Sequence, residues 1–160
     1  ERYALRRDSG GPGRYRGGLG LERTYRILDN GMFNGLSERS KCLPWGLAKG
    51  SPGKSGSIAL KRSGRTRIER FQKVTGLKLA QGDVLMFATG GGGGYGDPFA
   101  RPPERVAEDV QMGYVSINEA RSSYGVVIEA RTGAADLPRT KALRSRRRRT
   151  VAGKIGLRKR

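Results

Sequence analysis

Five consecutive glycines lie in the stretch Thr89-Gly90-Gly91-Gly92-Gly93-Gly94-Tyr95-Gly96-Asp97-Pro98, which then supplies an aromatic residue, an acid and a proline. Inside a regular element each glycine costs roughly 0.5–1 kcal/mol of backbone entropy relative to alanine. A folded protein therefore keeps such a run where the backbone needs a positive φ or a close approach to another group. The stretch predicts a built loop, and a loop of this kind is a candidate binding loop.

The size and composition of the chain fit one domain with a modest core. The sequence has 160 residues, of which 35% are hydrophobic and 26 are glycine. No apolar run approaches the roughly 20 residues that a membrane-spanning helix needs, and no apolar signal segment follows Glu1. We therefore expect a cytoplasmic protein with no membrane partner and, because the chain does not begin with methionine, a fragment of a longer polypeptide.

The counts of cysteine and histidine restrict the chemistry of the chain. Cys42 is the single cysteine and there is no histidine. Internal disulfides, zinc sites built on cysteine and histidine, and Ser-His or Cys-His nucleophile pairs are therefore excluded. A lone thiol without a histidine to lower its pKa is a poor nucleophile, so Cys42 is expected to be a small buried hydrophobe. We expect no metal site in this chain.

The charge of the chain is concentrated near its end. The formal net charge is +19, and residues 138–160 contain 11 lysines and arginines and no acid. Such a cluster is either a solvated tail or an arm that binds the phosphates of a nucleic acid. We expect a β-rich unit over residues 1–137 and a basic, mobile tail over residues 138–160.

The hydrophobic pattern predicts an α+β fold that is β-rich, with mostly antiparallel strands and Gly-rich turns, followed by two short helices and the basic tail. A hairpin is predicted from residues 21–28 and 32–36, because Asp29-Asn30-Gly31 is a hairpin-type turn. Further strands are predicted at 57–61, 66–73, 83–88 and 126–130.

Helix signals begin after the glycine run. Pro102 and Pro103 predict a helix that ends by Gly113, and a second helix is predicted between the N-cap Ser116 and Gly125. A third, weakly supported helix is predicted at 140–149. Before the run, Trp45 is expected to anchor its segment to the core.

The residues that close the glycine run argue against two phosphate-binding motifs. A P-loop needs a lysine and a hydroxyl residue after its last glycine, whereas Asp97 and Pro98 follow Gly96. A dinucleotide-binding fingerprint needs a helix immediately behind it, and none is predicted there. The peptide N–H groups of the run could still cradle a phosphate or a carboxylate. Asp97 is expected to form an Asx-turn or a helix cap.

An ordered set of short motifs resembles the C-terminal part of the hydantoinase B/oxoprolinase family. The motifs before the glycine run are Asp8-Ser9-Gly10-Gly11-Pro12-Gly13-Arg14-Tyr15-Arg16-Gly17-Gly18-Leu19-Gly20, Ser37-Glu38-Arg39 and Pro44-Trp45-Gly46-Leu47. The run closes in Gly94-Tyr95-Gly96-Asp97-Pro98, and the match continues with Asp109-Val110, Gly113-Tyr114-Val115-Ser116, Ala120 and Tyr124-Gly125-Val126-Val127. Glu38 stands where the family usually has aspartate, and Gly90 where it usually has proline.

The resemblance implies the ATP-dependent opening of a cyclic amide such as 5-oxoproline or a hydantoin, or in related carboxylases the activation of a ketone. This chain is similar to the B-type polypeptide, which works beside an A-type ATP-binding subunit or domain. The resemblance also implies that an N-terminal part of the same chain is missing here, and it predicts that this segment is inactive alone. No cofactor is expected on this segment, while ATP and a divalent metal are expected in the complete enzyme.

The sequence offers candidate binding residues but no catalytic assignment. Candidates for a loop that faces the substrate or another subunit are Gly91, Gly92, Gly93, Gly94, Tyr95 and Asp97, and candidates for anion contacts are Arg14, Arg16 and Arg39. Two other readings remain open at this point. One is a basic module that binds nucleic acid through residues 138–160, and the other is a non-catalytic docking domain or a gene remnant.

Overall fold

The computed structural model describes residues 1–39 and 42–156, with the side chains of residues 147–156 left aside. Strands precede helices along the chain, as the sequence predicts. The strands are β1 (Arg2–Leu5), β2 (Leu21–Arg26), β3 (Gly31–Leu36), β4 (Ser57–Lys61), β5 (Ile68–Phe71), β6 (Lys73–Leu79) and β7 (Val84–Ala88). A short 3₁₀ helix (Pro98–Ala100) precedes the helices α1 (Pro103–Gln111), α2 (Ile117–Ser123) and α3 (Leu137–Gly156).

The strands form two antiparallel sheets. The larger has the order β1-β2-β7-β4-β5 and the smaller pairs β3 with β6. Ile58 and Leu60 on β4, Leu85 on β7 and Leu79 on β6 are buried together, so the two sheets share one core. The predicted α+β class with mostly antiparallel strands is confirmed.

The predicted hairpin between residues 21–28 and 32–36 is wrong. β2 pairs with β1 and β7, whereas β3 pairs with β6 in the other sheet. After β2 the backbone of Ile27 stays beside the turn before β7, because its N–H donates to the Asp83 carbonyl oxygen and its own carbonyl oxygen accepts from Gly82 N–H. The chain therefore changes sheet at the turn-like residues 29–30, and long-range pairing overrides the local turn signal.

Two further strand predictions fail. The predicted strand at 66–73 contains β5 but only the first residue of β6, Lys73, and Gln72 separates the two strands. The predicted strand at 126–130 is absent, since only one isolated bridge joins Ile128 to Ala135. Val126 is fully buried in a second core among the helices. A short apolar run is compatible with a buried strand and with a buried segment among helices, so periodicity alone does not distinguish the two.

The second core lies among the helices. Val106 and Ala107 of α1 pack with Ala120 of α2 and with Tyr124. The predicted α1 and α2 are confirmed; Ser116 Oγ accepts a hydrogen bond from Glu119 N–H at the start of α2, as an N-cap should. The third helix extends over Leu137–Gly156, beyond the predicted 140–149.

The division into a 1–137 unit and a 138–160 tail stays a prediction. Helix α3 begins at Leu137, at the predicted boundary, and residues 157–160 lie outside the described part of the chain. Among the residues that the structure describes, no helix has the length and apolar character needed to cross a membrane.

Candidate functional site

The glycine run is packed between two other Gly-rich segments, residues 9–20 and 46–56, and we call the three together the glycine bundle. Three peptide N–H groups of the run donate to these neighbours. Gly91 donates to the Lys54 carbonyl oxygen (3.0 Å) and Gly92 to that of Gly18 (2.9 Å). Gly94 donates to the carbonyl oxygen of Ser51 (2.9 Å). The run is therefore the middle segment of a hydrogen-bonded backbone layer.

Close approach explains why the bundle needs glycine. A β-carbon would stand 1.9 Å from the Ser9 carbonyl oxygen at Gly91 and 1.8 Å from that of Trp45 at Gly93. Real β-carbons essentially never come within 3.0 Å of such atoms. Residues 90–94 do not adopt positive φ; Gly96 does, at φ 76°. The run is therefore explained by the close approach of other backbone segments and not by positive φ.

The hydrogen bonds of the bundle bear on anion binding. In addition to Gly91, Gly92 and Gly94, Tyr95 donates its N–H to the Tyr15 carbonyl oxygen and Gly96 donates to that of Leu47. A backbone nest binds an anion only through N–H groups that point at it. Three of the five N–H groups of the run are already engaged with carbonyl oxygens, so the run does not present a row of free N–H groups to an anion.

A cleft of about 720 Å³ opens beside the bundle. It lies where the end of β3, the start of β4 and the end of β7 meet the glycine run. Apolar side chains form much of its wall, and Glu38 and Arg39 bring charge to it. The lining residues are Leu36, Ser37, Glu38, Arg39, Pro44, Trp45, Gly56, Ser57, Ile58, Phe87, Ala88, Thr89, Gly90, Gly91 and Gly92.

Trp45 lies on the cleft, and the expectation that it anchors the core is wrong. Its side chain is 67% exposed. The Arg39 guanidinium carbon lies 5.6 Å from the centre of the Trp45 ring, which is cation–π geometry. Of the three arginines predicted to contact an anion, Arg39 is the one that lines the cleft. Cys42, near this rim, is exposed rather than buried, which is a second wrong expectation.

Two residues outside the cleft lining, Arg6 and Ser9, hold neighbouring backbone segments in place. Arg6 Nη1 donates to the carbonyl oxygens of Ser55 (2.6 Å) and Thr89 (3.0 Å), and so ties the segment that precedes Gly56 to the end of β7. Ser9 is fully buried, and its Oγ accepts from Gly20 N–H (2.8 Å). The position of Ser9 inside a glycine motif is the sequence feature that points to this role, because a hydroxyl group buried there needs a backbone hydrogen-bond partner.

Arg16 is held away from the cleft by an internal acid. Its Nε lies 3.3 Å from Asp109 Oδ1, and Arg101 Nη2 lies 2.9 Å from Asp109 Oδ2. The three side chains are 9–16% exposed, so both ion pairs are shielded, and the one between Arg16 and Asp109 joins the glycine bundle to α1. We call this group the Asp109 clamp. Arg14, by contrast, is exposed beside the Tyr15 ring.

The remaining loop candidates lie at the far end of the run. Asp97 caps the 3₁₀ helix, because its Oδ1 accepts from Phe99 N–H at 2.9 Å, which confirms the expected cap. Tyr95 is 55% exposed. Of the six predicted loop residues, Gly91 and Gly92 line the cleft, whereas Gly93, Gly94, Tyr95 and Asp97 do not. Whether either group contacts a substrate or a subunit stays a prediction.

The described part of the chain holds no group of three histidine, cysteine, aspartate or glutamate side chains that could bind a metal ion. These residues therefore offer no such cluster to a divalent metal, and the N–H groups of Gly91, Gly92 and Gly94, which donate to carbonyl oxygens, are not free to bind the phosphates of ATP. The arrangement can instead offer an apolar wall, a cation and a carboxylate to a small ligand.

The chain is similar to known proteins over most of its length. An uncharacterized protein of Methanocaldococcus jannaschii is 40% identical over 144 residues, which cover 89% of this chain and 25% of that protein. Caprolactamase subunit beta of Pseudomonas jessenii is 35% identical over 135 residues, 80% of this chain and 23% of the subunit. The crystal structure of the ATP-dependent caprolactamase from that organism aligns at 35% identity with a TM-score of 0.79, covering 91% of this chain and 26% of that chain.

A family model described as Hydantoinase B/oxoprolinase matches residues 1–98. The match contains every residue that lines the cleft. The chain spans about a quarter of the length of the relatives compared above. The resemblance carried by the ordered motifs is confirmed, and the chain belongs to the hydantoinase B/oxoprolinase family.

Proposed function

We propose that this chain is part of an ATP-dependent hydrolase that opens a cyclic amide, either a lactam or a hydantoin, and that its cleft helps to hold the ring. The observation that carries the proposal is the position of the cleft. All of its lining lies between Leu36 and Gly92, inside the segment that matches the family model. A relative with the same fold is an ATP-dependent caprolactamase.

The cleft suits a small, flat, weakly polar ligand. Trp45 and Phe87 offer apolar surface to the ring, while Ser37 offers a hydrogen-bond partner to the amide edge. Ligand sites are commonly of this type, mostly apolar with few polar groups that fix orientation. Arg39, beside Trp45, is placed to attract a carboxylate such as the one that ring opening produces.

ATP and a divalent metal belong, in this proposal, to other parts of the complete enzyme. The lack of a cluster of three metal-ligating side chains among the described residues supports this assignment, as does the engagement of the Gly91, Gly92 and Gly94 N–H groups. No step of the reaction is therefore assigned to this chain through ATP or metal. We place the ATP-binding function on an A-type subunit or domain that works beside this chain. The contribution of residues 36–92 is then to bind and orient the substrate.

The test uses the complete enzyme assembled with its A-type subunit. Ring opening is measured with 5-oxoproline, hydantoin and caprolactam, with and without ATP. Trp45→Ala and Arg39→Ala are each expected to lower kcat/KM about fivefold or more, because each removes a contact of the order of 1 kcal/mol or more from the bound ligand. Leu28→Ala is the control, since Leu28 is 78% exposed and lies outside the cleft.

The outcomes separate the parts of the proposal. Unchanged kcat/KM in both cleft variants would show that the ring binds elsewhere. No ATP-dependent opening of any of the three substrates by the natural enzyme would show that the proposed reaction is wrong.

A further inference from the structure

The Asp109 clamp and the neighbouring Tyr124 contain buried hydrogen-bond donors without a partner among the described residues. Arg16 Nε and Arg101 Nε have no hydrogen-bond acceptor there, and the Tyr124 hydroxyl group has no partner either. Tyr124 is 1% exposed, and the side chains of the clamp are 9–16% exposed. Buried polar groups are nearly always hydrogen-bonded in folded proteins, so three such donors in one place call for a common partner.

The three donors lie in one small region next to the Asp109 carboxylate. Arg16 Nε lies 3.3 Å from Asp109 Oδ1, and Arg101 Nη2 lies 2.9 Å from Asp109 Oδ2. Tyr124 lies beside this group, because after burial it is the charges of Arg101, Asp109 and Arg16 that act most on the pKa of its hydroxyl group. The charge of Glu119 acts on that pKa least, so Asp109 is the main acid of the region.

Other contacts hold both guanidinium groups in place. Arg16 Nη1 donates to the Gly17 carbonyl oxygen (2.9 Å), and Arg101 Nη1 donates to that of Arg14 (3.0 Å). The Tyr114 ring lies against Arg16, with its centre 5.3 Å from the guanidinium carbon. The donors are therefore positioned before any ligand binds, and such preorganisation lowers the entropy that binding costs.

The charge and the donors of this region indicate the chemistry of the ligand. The clamp sets two guanidinium groups against one carboxylate, so one positive charge is left in excess at a shielded place, where an uncompensated charge is costly. The unpartnered groups are two N–H groups and one O–H group, and all three can donate a hydrogen bond. A ligand that accepts several hydrogen bonds and carries one negative charge satisfies both conditions. A water molecule brings no charge and needs acceptors for its own two hydrogens.

We propose that the Asp109 clamp and Tyr124 together form an enclosed site for a small monovalent anion of the size of chloride. Arg16 Nε, Arg101 Nε and the Tyr124 hydroxyl group donate to the anion, and without the anion that hydroxyl group is unpaired. Phosphate is a poorer ligand, because it brings four oxygens and up to two charges to three donors and one excess charge. None of these residues lines the cleft, so the inference does not depend on the proposed reaction.

The first test locates the anion in crystals of the complete natural polypeptide grown in sodium bromide. Bromide can replace chloride and is identified by its anomalous X-ray scattering. A peak within hydrogen-bond distance of Arg16 Nε, Arg101 Nε and Tyr124 Oη is expected. Density without anomalous signal at this place, as a water molecule gives, or no density there, would overturn the proposal. Bromide on exposed arginines alone would mean an adventitious ion only and would overturn it as well.

The second test compares melting temperatures of the complete polypeptide in sodium chloride and in sodium isethionate at equal ionic strength, so that screening is the same. The natural chain is expected to melt higher in chloride, because a ligand of the folded state alone stabilises that state. Tyr124→Phe keeps the ring but removes one donor, and it is expected to raise the chloride concentration for half of the effect about tenfold. The matched control is Tyr114→Phe, which is expected to respond to chloride like the natural chain.

A variant of the clamp acid is expected to act in the opposite direction. Asp109→Asn removes the negative charge beside the anion and keeps a side chain of the same shape, so it is expected to lower the chloride concentration for half of the effect about threefold or more. If this variant does not fold, Tyr124→Phe and the bromide map decide. Equal responses to chloride in the natural, Tyr124→Phe and Tyr114→Phe chains would overturn the proposal.

Discussion

Gly93 and Gly18 are both glycines of the bundle, but their surroundings differ sharply. At Gly93 an added β-carbon would lie 1.8 Å from the Trp45 carbonyl oxygen, whereas at Gly18 nothing lies within 4 Å. Gly93→Ala is therefore expected to lower the free energy of unfolding by about 3 kcal/mol or more, because two backbone segments must separate. Gly18→Ala is expected to be neutral or to stabilise by up to about 1 kcal/mol.

Denaturant unfolding of the two variants checks this difference. Equal effects at the two positions would contradict the packing of the bundle. The same contrast matters for activity measurements, because a variant at Gly93 loses the fold before it reports on any binding role of the run. Gly92, where the nearest atom to an added β-carbon is 3.2 Å away, is the better position for such measurements.

The residue scale also shows the limit of the sequence. The glycine run predicts that other backbone segments approach it closely, and the contacts of Gly91 and Gly93 confirm this prediction. Which segments approach is a long-range property, so Ser9 and Arg6 could not be connected to the run from their positions in the sequence. For the same reason the sequence predicts one role, an anion contact, for both Arg39 and Arg16, although Arg39 lines the cleft and Arg16 belongs to the Asp109 clamp.

Among the elements, the residue after α2 carries the clearest pH dependence. Tyr124 is 1% exposed and its hydroxyl group has no hydrogen-bond partner among the described residues. Burial raises its pKa to about 12, and the positive charges of Arg101 and Arg16 offset only part of that effect. In the unfolded chain the pKa returns to its ordinary value of 10.0.

The sign of the effect follows from the raised pKa. The unfolded chain loses the tyrosine proton first, so the contribution of this group to stability is complete below pH 10 and is lost as the pH rises to about 12. Tyr124→Phe is expected to remove this loss. Near neutral pH it is expected to keep the stability or to raise it by about 1 kcal/mol, because an unpaired buried hydroxyl disappears.

Urea unfolding of the natural chain and the variant across this pH range is the measurement. Tyr3→Phe serves as the control, since Tyr3 is 66% exposed. A natural chain and a Tyr124→Phe variant that lose stability in parallel above pH 10 would contradict the buried, unpartnered hydroxyl.

The elements differ in how far the sequence predicts them. Helices α1 and α2 depend on local signals, Pro103 at the start of one and Ser116 before the other, and both are found where the signals place them. Strand β6 was missed because Gly76, with φ 66°, interrupts its alternation at an irregularity in its pairing with β3. Such a glycine is a signal for a bulge, but the partner strand that fixes it lies some forty residues away.

At the scale of the whole molecule, two cores are held together by polar contacts. The core between the sheets and the core among the helices share no buried hydrophobic residue. The Asp109 clamp joins the bundle to α1, and Ser116 N–H donates to Asp8 Oδ1 at 2.7 Å. The first turns of α3 add a third set of contacts to the helical core.

Those contacts make a truncation series informative. Thr140 is 2% exposed and its Oγ1 accepts from Val127 N–H (3.0 Å). Arg144 Nη2 donates to the carbonyl oxygens of Tyr124 (3.0 Å) and Arg101 (2.9 Å). A chain that ends at Asp136 leaves these buried groups unpaired, so its free energy of unfolding is expected to fall by about 3 kcal/mol or more. A chain that ends at Arg146 keeps all three contacts and is expected to unfold like the natural chain.

Thermal and urea unfolding of the three lengths measure the difference. The predicted tail over residues 138–160 implies that both truncations are neutral, whereas the contacts of Thr140 and Arg144 imply that only the shorter chain is destabilised. A stable chain ending at Asp136 would support the sequence-based boundary. An unstable chain ending at Asp136 would place residues 137–146 in the folded unit. Any separate role of the basic residues would then be confined to those beyond Arg146.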